Sequence, residues 1–103
     1  MEAEPPERER YLDFDTSSEA PFVYANIITV WFSPYDFGLD WGLTEPVEPE
    51  DPDDPTSPLR IPVSVVTRVR VPTGLLFDVL RALNDAMTRY EAIFGEIRRP
   101  EAR

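Results

Sequence analysis

The chain has 103 residues, with 20 Asp and Glu against 10 basic residues, and a formal net charge of −10. That length accommodates one small domain. The sequence contains no Cys, His or Lys, which excludes disulfides, thiolate metal sites, cysteine nucleophiles, histidine bases and lysine Schiff bases. We therefore predict a protein that is not an enzyme, with no catalytic residue, no cofactor and no metal.

The negative charge is concentrated in two segments that lack apolar patterning. Residues 1–20 carry a net charge of −5, and residues 45–58 carry −6. The rest of the chain is therefore close to neutral, at +1. We predict that the patterned part, residues 21–97, forms the domain, and that residues 98–103 form a short C-terminal tail.

Residues 1–20 are predicted to form an acidic disordered tail, because their composition buries too little apolar surface to offset the ordering entropy. The tail has no basic start followed by an apolar run, so it is not predicted to be a signal peptide, and we expect no membrane partner. Its sizeable apolar residues, Tyr11 and Phe14, form a candidate docking segment for another protein. The alternative is that the tail is only solvated.

Residues 45–58 carry a proline at every third position. A polyproline II helix has three residues per turn, so these prolines would form one ridge, and like-charge repulsion would favour extension. We therefore predict a stiff, extended acidic connector between strands. A calcium site is the alternative, but the segment lacks the ligand spacing and central glycine of an EF-hand loop. The prolines are Pro46, Pro49, Pro52, Pro55 and Pro58.

The domain is predicted to begin with a β-hairpin. Residues 22–32 are apolar on both alternating faces, which predicts a central strand covered on both sides. Residues 33–36, Ser-Pro-Tyr-Asp, have the composition of a turn. The second strand alternates large apolar residues with Asp and Gly, which is the period of a strand with two different faces. The apolar set is Phe37, Leu39, Trp41 and Leu43.

A third strand and a long helix complete the predicted domain. Residues 60–71 alternate again, with the odd-numbered residues from Ile61 to Val71 predicted on one face. Pro72 ends this strand, Thr73 is the predicted N-cap, and a helix runs to Phe94 with Gly95 as C-cap. The predicted fold class is therefore α+β, with a three-stranded antiparallel sheet followed by one long C-terminal helix.

The apolar surface of the helix exceeds what one small sheet can cover. A helix that packs on a sheet needs one apolar stripe about 100° wide. The apolar residues of this helix form two such stripes side by side. We therefore predict a homo-oligomer, most simply a two-fold dimer. The alternative is a monomer with an unusually apolar surface. The predicted core and dimer-interface residues are Leu76, Val79, Leu80, Leu83, Met87, Tyr90, Phe94, Trp31 and Trp41.

Two parts of the chain resemble a family of mainly bacterial and archaeal proteins known as domain of unknown function 3467. The resemblance covers residues 24–97 apart from the acidic connector, and it implies a cytoplasmic helix-and-sheet module with no implied activity. Trp41 stands where the family usually has Phe, and the helix start lacks an expected basic residue. The matching segments are Tyr24-Ala25-Asn26, Ser33-Pro34, Asp36-Phe37, Leu39-Asp40-Trp41-Gly42, Tyr90-Glu91, Phe94-Gly95 and Ile97.

Three arginines are the candidates for contacts with phosphate or a partner. Arg60, Arg68 and Arg70 are predicted on one face of the third strand. The net charge opposes nucleic acid, and no aromatic residue alternates with them, so pairing with Asp36 and Asp40 is favoured.

Asn26 is the other candidate contact residue, expected to tie the hairpin together or to set the dimer register, with ligand binding as the alternative.

The expected function is a non-enzymatic homodimeric protein-interaction module, an adaptor or scaffold subunit. Its expected partners are a second copy of the chain and another protein, and its expected location is the cytoplasm. The alternative is a nucleic-acid-associated regulator that uses the three arginines.

Overall fold

The computed structural model describes residues 7–99, so residues 1–6 and 100–103 of the two predicted tails lie outside it. Three strands form one antiparallel sheet and a single helix follows them, so the α+β prediction is confirmed. The elements are β1 (Ile27–Phe32), β2 (Asp36–Thr44), β3 (Glu48–Pro49), β4 (Leu59–Arg60), β5 (Val63–Pro72) and α1 (Leu75–Phe94).

The central strand of the sheet is β2. It pairs with β1 on one side and with β5 on the other. The prediction of a central strand over residues 22–32 is therefore wrong, since β1 lies at an edge and begins at Ile27. A run that is apolar on both faces indicated burial on both faces, but within this chain Ile28, Val30 and Phe32 all remain exposed.

A β-bulge in β5 interrupts the predicted alternation. Trp41 pairs with Thr67 and Gly42 pairs with Val65, which leaves Val66 without a partner in the register. One extra residue moves all later side chains to the other face. Val63 and Val65 therefore lie on the opposite face from Thr67, Val69 and Val71, which corrects the prediction of one continuous face.

The acidic connector folds back on itself, so the prediction of an extended polyproline segment is wrong. Its two ends form the short antiparallel pair of β3 and β4. Glu50 N–H donates to the Pro58 carbonyl at 2.9 Å and closes the loop. Arg60 belongs to β4 and not to β5, so it does not share a strand with the other two arginines.

Short acidic side chains explain why this loop turns. Asp51 accepts a hydrogen bond from the Asp53 N–H at 3.0 Å, and Asp54 accepts one from the Thr56 N–H at 2.9 Å. The Thr56 hydroxyl and N–H hold the pKa of Asp54 below its usual range. Such turns give the backbone local hydrogen bonds that a polyproline II helix lacks.

Helix α1 has 20 residues, which corresponds to a length of about 30 Å. Its N-cap is Gly74, without a side-chain hydrogen bond, so the prediction of Thr73 as the cap is wrong. Gly95 ends the helix at φ 96°, where its N–H donates to the Glu91 carbonyl at 3.0 Å, and this prediction is confirmed. A left-handed backbone at that position favours glycine because it has no Cβ.

The chain folds without a core of its own. Among residues 7–99, only Gly38 and Gly42 are buried, and no larger side chain is. Helix α1 contacts the sheet only through β5, and Leu76 and Val79 are its half-buried residues. The radius of gyration is 21.0 Å, whereas a compact domain of this length has about 13 Å.

Candidate interaction surfaces

One face of the sheet is built from large apolar side chains and is called here the apolar face. The register places Ile28 beside Trp41, Val30 beside Leu39 and Phe32 beside Phe37. The same residues of β2 face three residues of β5 on their other side. The apolar face therefore comprises Ile28, Val30, Phe32, Phe37, Leu39, Trp41, Thr67, Val69 and Val71.

The apolar face is largely uncovered in the single chain. Phe32 is 75% exposed and Val30 is 52% exposed. Val23 and Ala25 lie beside Trp41 and line a shallow depression there, so the segment before β1 covers only one corner of the face. Apolar patches of this kind mark surfaces at which proteins associate.

The helix presents a second apolar surface, called here the helix stripe. All helix residues after Val79 are exposed, including Leu80 at 65% and Leu83 at 58%. Tyr90 and Phe94 contact only each other among aromatic rings, with their centroids 5.0 Å apart. The stripe comprises Leu76, Leu80, Leu83, Met87, Tyr90 and Phe94, which are predicted interface residues of the helix.

Trp31 lies on the opposite side of the sheet from Trp41, although both were predicted for the core or interface. Its indole covers Gly38 so closely that a Cβ there would stand 1.9 Å from Trp31 Cε2. The Arg70 guanidinium lies 5.5 Å from the Trp31 ring centroid, a cation–π contact. This surface, called here the polar face, is therefore covered around Gly38 by side chains of the same protomer.

The arginines of β5 are paired with aspartates of β2 on the polar face. Arg68 Nε donates to Asp40 Oδ1 at 3.0 Å, and Arg70 Nε donates to Asp36 Oδ2 at 3.0 Å. The favoured prediction of cross-strand pairing is confirmed for these two residues. Arg60 forms its ion pair with Glu48, so the prediction that three arginines share one face is wrong. Carboxylates thus occupy all three candidate phosphate contacts.

Asp36 joins the turn to the sheet. The Ser33 hydroxyl donates to Asp36 Oδ1 at 2.5 Å, and the Asp36 N–H donates to Ser33 Oγ at 3.2 Å. The Ser33 hydroxyl, aided by Arg70, holds the pKa of Asp36 below its usual range. The carboxyl is therefore ionised at neutral pH, in the form that accepts both hydrogen bonds.

Asn26 ties the open end of the hairpin, as predicted. Its N–H donates to the Gly42 carbonyl at 2.9 Å. Its side-chain amide donates to Thr44 Oγ1 at 3.1 Å and accepts from the Thr44 N–H at 3.0 Å. These bonds fix the segment before β1 to the end of β2.

The candidate docking segment makes no contact that would cover its aromatic residues. Tyr11 is 86% exposed and Phe14 is 79% exposed. A short turn follows, in which Asp15 accepts hydrogen bonds from the Ser17 N–H and hydroxyl. Both aromatic rings are therefore accessible to another molecule.

Neither a metal cluster nor a membrane span occurs in the described part of the chain. No group of three Asp or Glu residues within 7–99 has the arrangement of a metal site. No helix in that range has the length and apolar character needed to cross a bilayer.

Comparison with known proteins finds no matching family model, no matching curated protein and no matching solved structure. The resemblance to domain of unknown function 3467 therefore stays a prediction.

Proposed function

We propose that this chain is a non-enzymatic homodimeric protein-interaction module, an adaptor or scaffold subunit that acts in the cytoplasm. One observation carries the proposal: the apolar face and the helix stripe are both exposed in the single chain. A second copy of the chain would offer apolar surface that can pack against the apolar face and against the helix stripe.

The energetics of folding support a dimer. Ordering the backbone costs about 1–2 kcal/mol per residue, which burial of apolar surface must offset. No large side chain is buried within residues 7–99, so the single chain gains too little from burial to offset this cost. When two copies pack together, the apolar residues of both copies are removed from water. Folding and association then become one process.

The contacts of the charged residues support a non-catalytic role. Asp36 and Asp40 are the acids of the hairpin, and each is held in an ion pair. A general acid or base needs a free side chain that reaches a substrate. The same ion pairs neutralise Arg68 and Arg70, which weakens the nucleic-acid alternative.

Light scattering after size-exclusion chromatography tests the dimer directly. We expect a mass of twice 11.8 kDa across a dilution series. A folded species of 11.8 kDa that unfolds cooperatively would refute the proposal, since it would show that the exposed apolar surfaces need no partner.

The docking segment is tested separately from the dimer. Replacing Tyr11 and Phe14 with Ala is expected to abolish capture of a specific protein partner while leaving the dimer intact. Tyr35→Ala is the matched control, because Tyr35 is 84% exposed and lies in the hairpin turn. An unchanged set of captured partners in the double variant would refute a role for the segment.

A further inference from the structure

The two outer strands of the sheet differ in how their free edges are protected. β5 carries Arg68 and Arg70, a bulge at Val66 and a terminal Pro72. These are devices that natural proteins use to prevent pairing at a sheet edge. β1 has the sequence Ile-Ile-Thr-Val-Trp-Phe, without charge, proline or glycine. β1 is therefore the edge that is open to another strand.

The hydrogen bonds of the hairpin show which backbone groups of β1 are available. Ser33 N–H donates to the Asp36 carbonyl at 2.9 Å, which makes Ser33 and Asp36 a hydrogen-bonded pair. Such pairs recur at every second residue of an antiparallel ladder. Trp31 and Thr29 therefore direct their N–H and C=O groups towards β2. The same groups of Ile28, Val30 and Phe32 point away from the sheet.

We infer that β1 pairs antiparallel with β1 of a second copy, so that the two sheets join into one of six strands. This inference rests on the proposed dimer and specifies its geometry. In the register that pairs the three outward-directed residues with one another, Val30 lies opposite its own copy and Ile28 lies opposite the partner's Phe32. The outward groups of all three residues then form hydrogen bonds across the two-fold axis.

A second copy fits this edge because pairing there joins the apolar faces of the two sheets. A two-fold axis perpendicular to the sheet keeps both apolar faces on the same side, so they become one continuous surface. Six strands at a spacing of about 4.8 Å span about 24 Å. A helix of 20 residues is about 30 Å long, which is enough to cross that width. The helix stripes can therefore cover the joined surface.

Cysteine cross-linking tests the arrangement, since the chain has no cysteine of its own. Val30→Cys is the test variant and Val69→Cys is the matched control. Both positions lie on the apolar face on either side of Leu39, and they are 52% and 44% exposed. Cα atoms of a hydrogen-bonded pair lie about 5.5 Å apart, within the range of a disulfide.

Under mild oxidation, Val30→Cys is expected to shift in a non-reducing gel from 11.8 kDa to twice that mass, and Val69→Cys is expected to stay at 11.8 kDa. Equal cross-linking of both variants would overturn the inference, because it would indicate face-to-face packing. A non-covalent dimer in which Val30→Cys fails to cross-link would also overturn it, while leaving the proposed function standing.

Amide hydrogen exchange of the unsubstituted protein gives a measurement that needs no variant. In the dimer, the Ile28, Val30 and Phe32 amides are expected to exchange as slowly as the inward Thr29 and Trp31 amides. Rapid exchange at those three residues in a dimer would overturn the pairing of β1 with β1 and leave the proposed dimer standing. A monomeric protein would overturn both the inference and the proposed dimer.

Discussion

The two faces of the central sheet are completed in different ways. On the polar face, the Trp31 indole fills the space above Gly38, and Arg70 lies over the ring while paired with Asp36. On the apolar face, the Phe32 ring contacts the Phe37 ring at a centroid distance of 5.7 Å, yet Phe32 and Val30 remain exposed. Around Gly38 the polar face is thus covered by side chains of the same chain, whereas the apolar face is left largely uncovered.

The composition of β2 explains the difference. Its residues alternate between Gly or Asp on the polar face and Phe, Leu or Trp on the apolar face. Small residues let a neighbouring side chain lie flat against the strand, so one tryptophan suffices to cover them. Large residues on the other face stand away from the sheet and need a second layer.

The largest expected effect comes from placing a charge in the helix stripe. Leu83→Asp should dissociate the proposed dimer and destabilise the fold by about 3 kcal/mol or more, because it places a carboxylate without a partner at a position that the dimer buries. Light scattering and urea unfolding measure both changes. Asn84→Asp adds the same charge at the next, exposed residue and should leave the mass unchanged. Equal behaviour of the two variants would show that the stripe is not an interface.

The next largest effect is expected on the polar face, where a methyl group added at Gly38 tests the close contact with Trp31. Gly38→Ala should destabilise the protein by about 1–3 kcal/mol, the usual cost of overpacking, since the new Cβ would stand 1.9 Å from Trp31 Cε2. Urea denaturation measures the change. Gly74→Ala is the control, because no atom lies within 4 Å of its added Cβ. Equal stability of Gly38→Ala and the parent protein would show that the Trp31 contact is not restrictive.

The pH dependence of stability tests the Asp36 hydrogen bonds. The Ser33 hydroxyl and Arg70 lower the pKa of Asp36 in the folded state, relative to about 3.9 in the unfolded chain. Its contribution to stability is thus fully present above pH ~3.9 and is lost as the pH falls through the lower folded pKa. The stability advantage of the parent over Asp36→Asn should therefore shrink on acidification.

Denaturation of the parent and Asp36→Asn proteins at neutral and acidic pH measures that advantage. Asp13→Asn, in the exposed segment before β1, is the matched control and should show no comparable trend. A constant difference between parent and Asp36→Asn across this range would contradict the assigned hydrogen bonds.

The smallest expected effect comes from the ion pair of Arg68 with Asp40. The Arg68 side chain is 67% exposed, and exposed pairs contribute about 0.2–1 kcal/mol. Arg68→Gln should therefore lower stability by less than about 1 kcal/mol, and this loss should diminish at high salt. A loss as large as that of Gly38→Ala would indicate that Arg68 has a structural role beyond the ion pair.

Local patterns predicted most of the elements, because they depend on neighbours in the chain. Period-two alternation placed β2, proline ended β5, and Gly95 ended the helix. Cross-strand pairing of Arg68 and Arg70 was also predictable, since opposite charges on adjacent strands attract.

The errors arose where distant contacts or local hydrogen bonds overrode a pattern. The apolar run before the turn predicted a central strand, but strand order depends on which long-range pairs form. The bulge at Val66 reversed the facing of Val63 and Val65, although the adjacent valines at 65 and 66 were the signal of a phase change. In the connector, turn hydrogen bonds of Asp51 and Asp54 outweighed the proline repeat.

Periodicity and breaker residues alone predict a hairpin, a third strand and a helix, with more apolar surface than one sheet needs. Three further features are visible only in the folded chain: β1 lies at an open edge, Trp31 and Trp41 lie on opposite faces, and the helix leaves its stripe exposed. The physical reason is that periodicity reports which side chains share a face, whereas strand order and the direction of a helix depend on contacts between residues far apart in the chain.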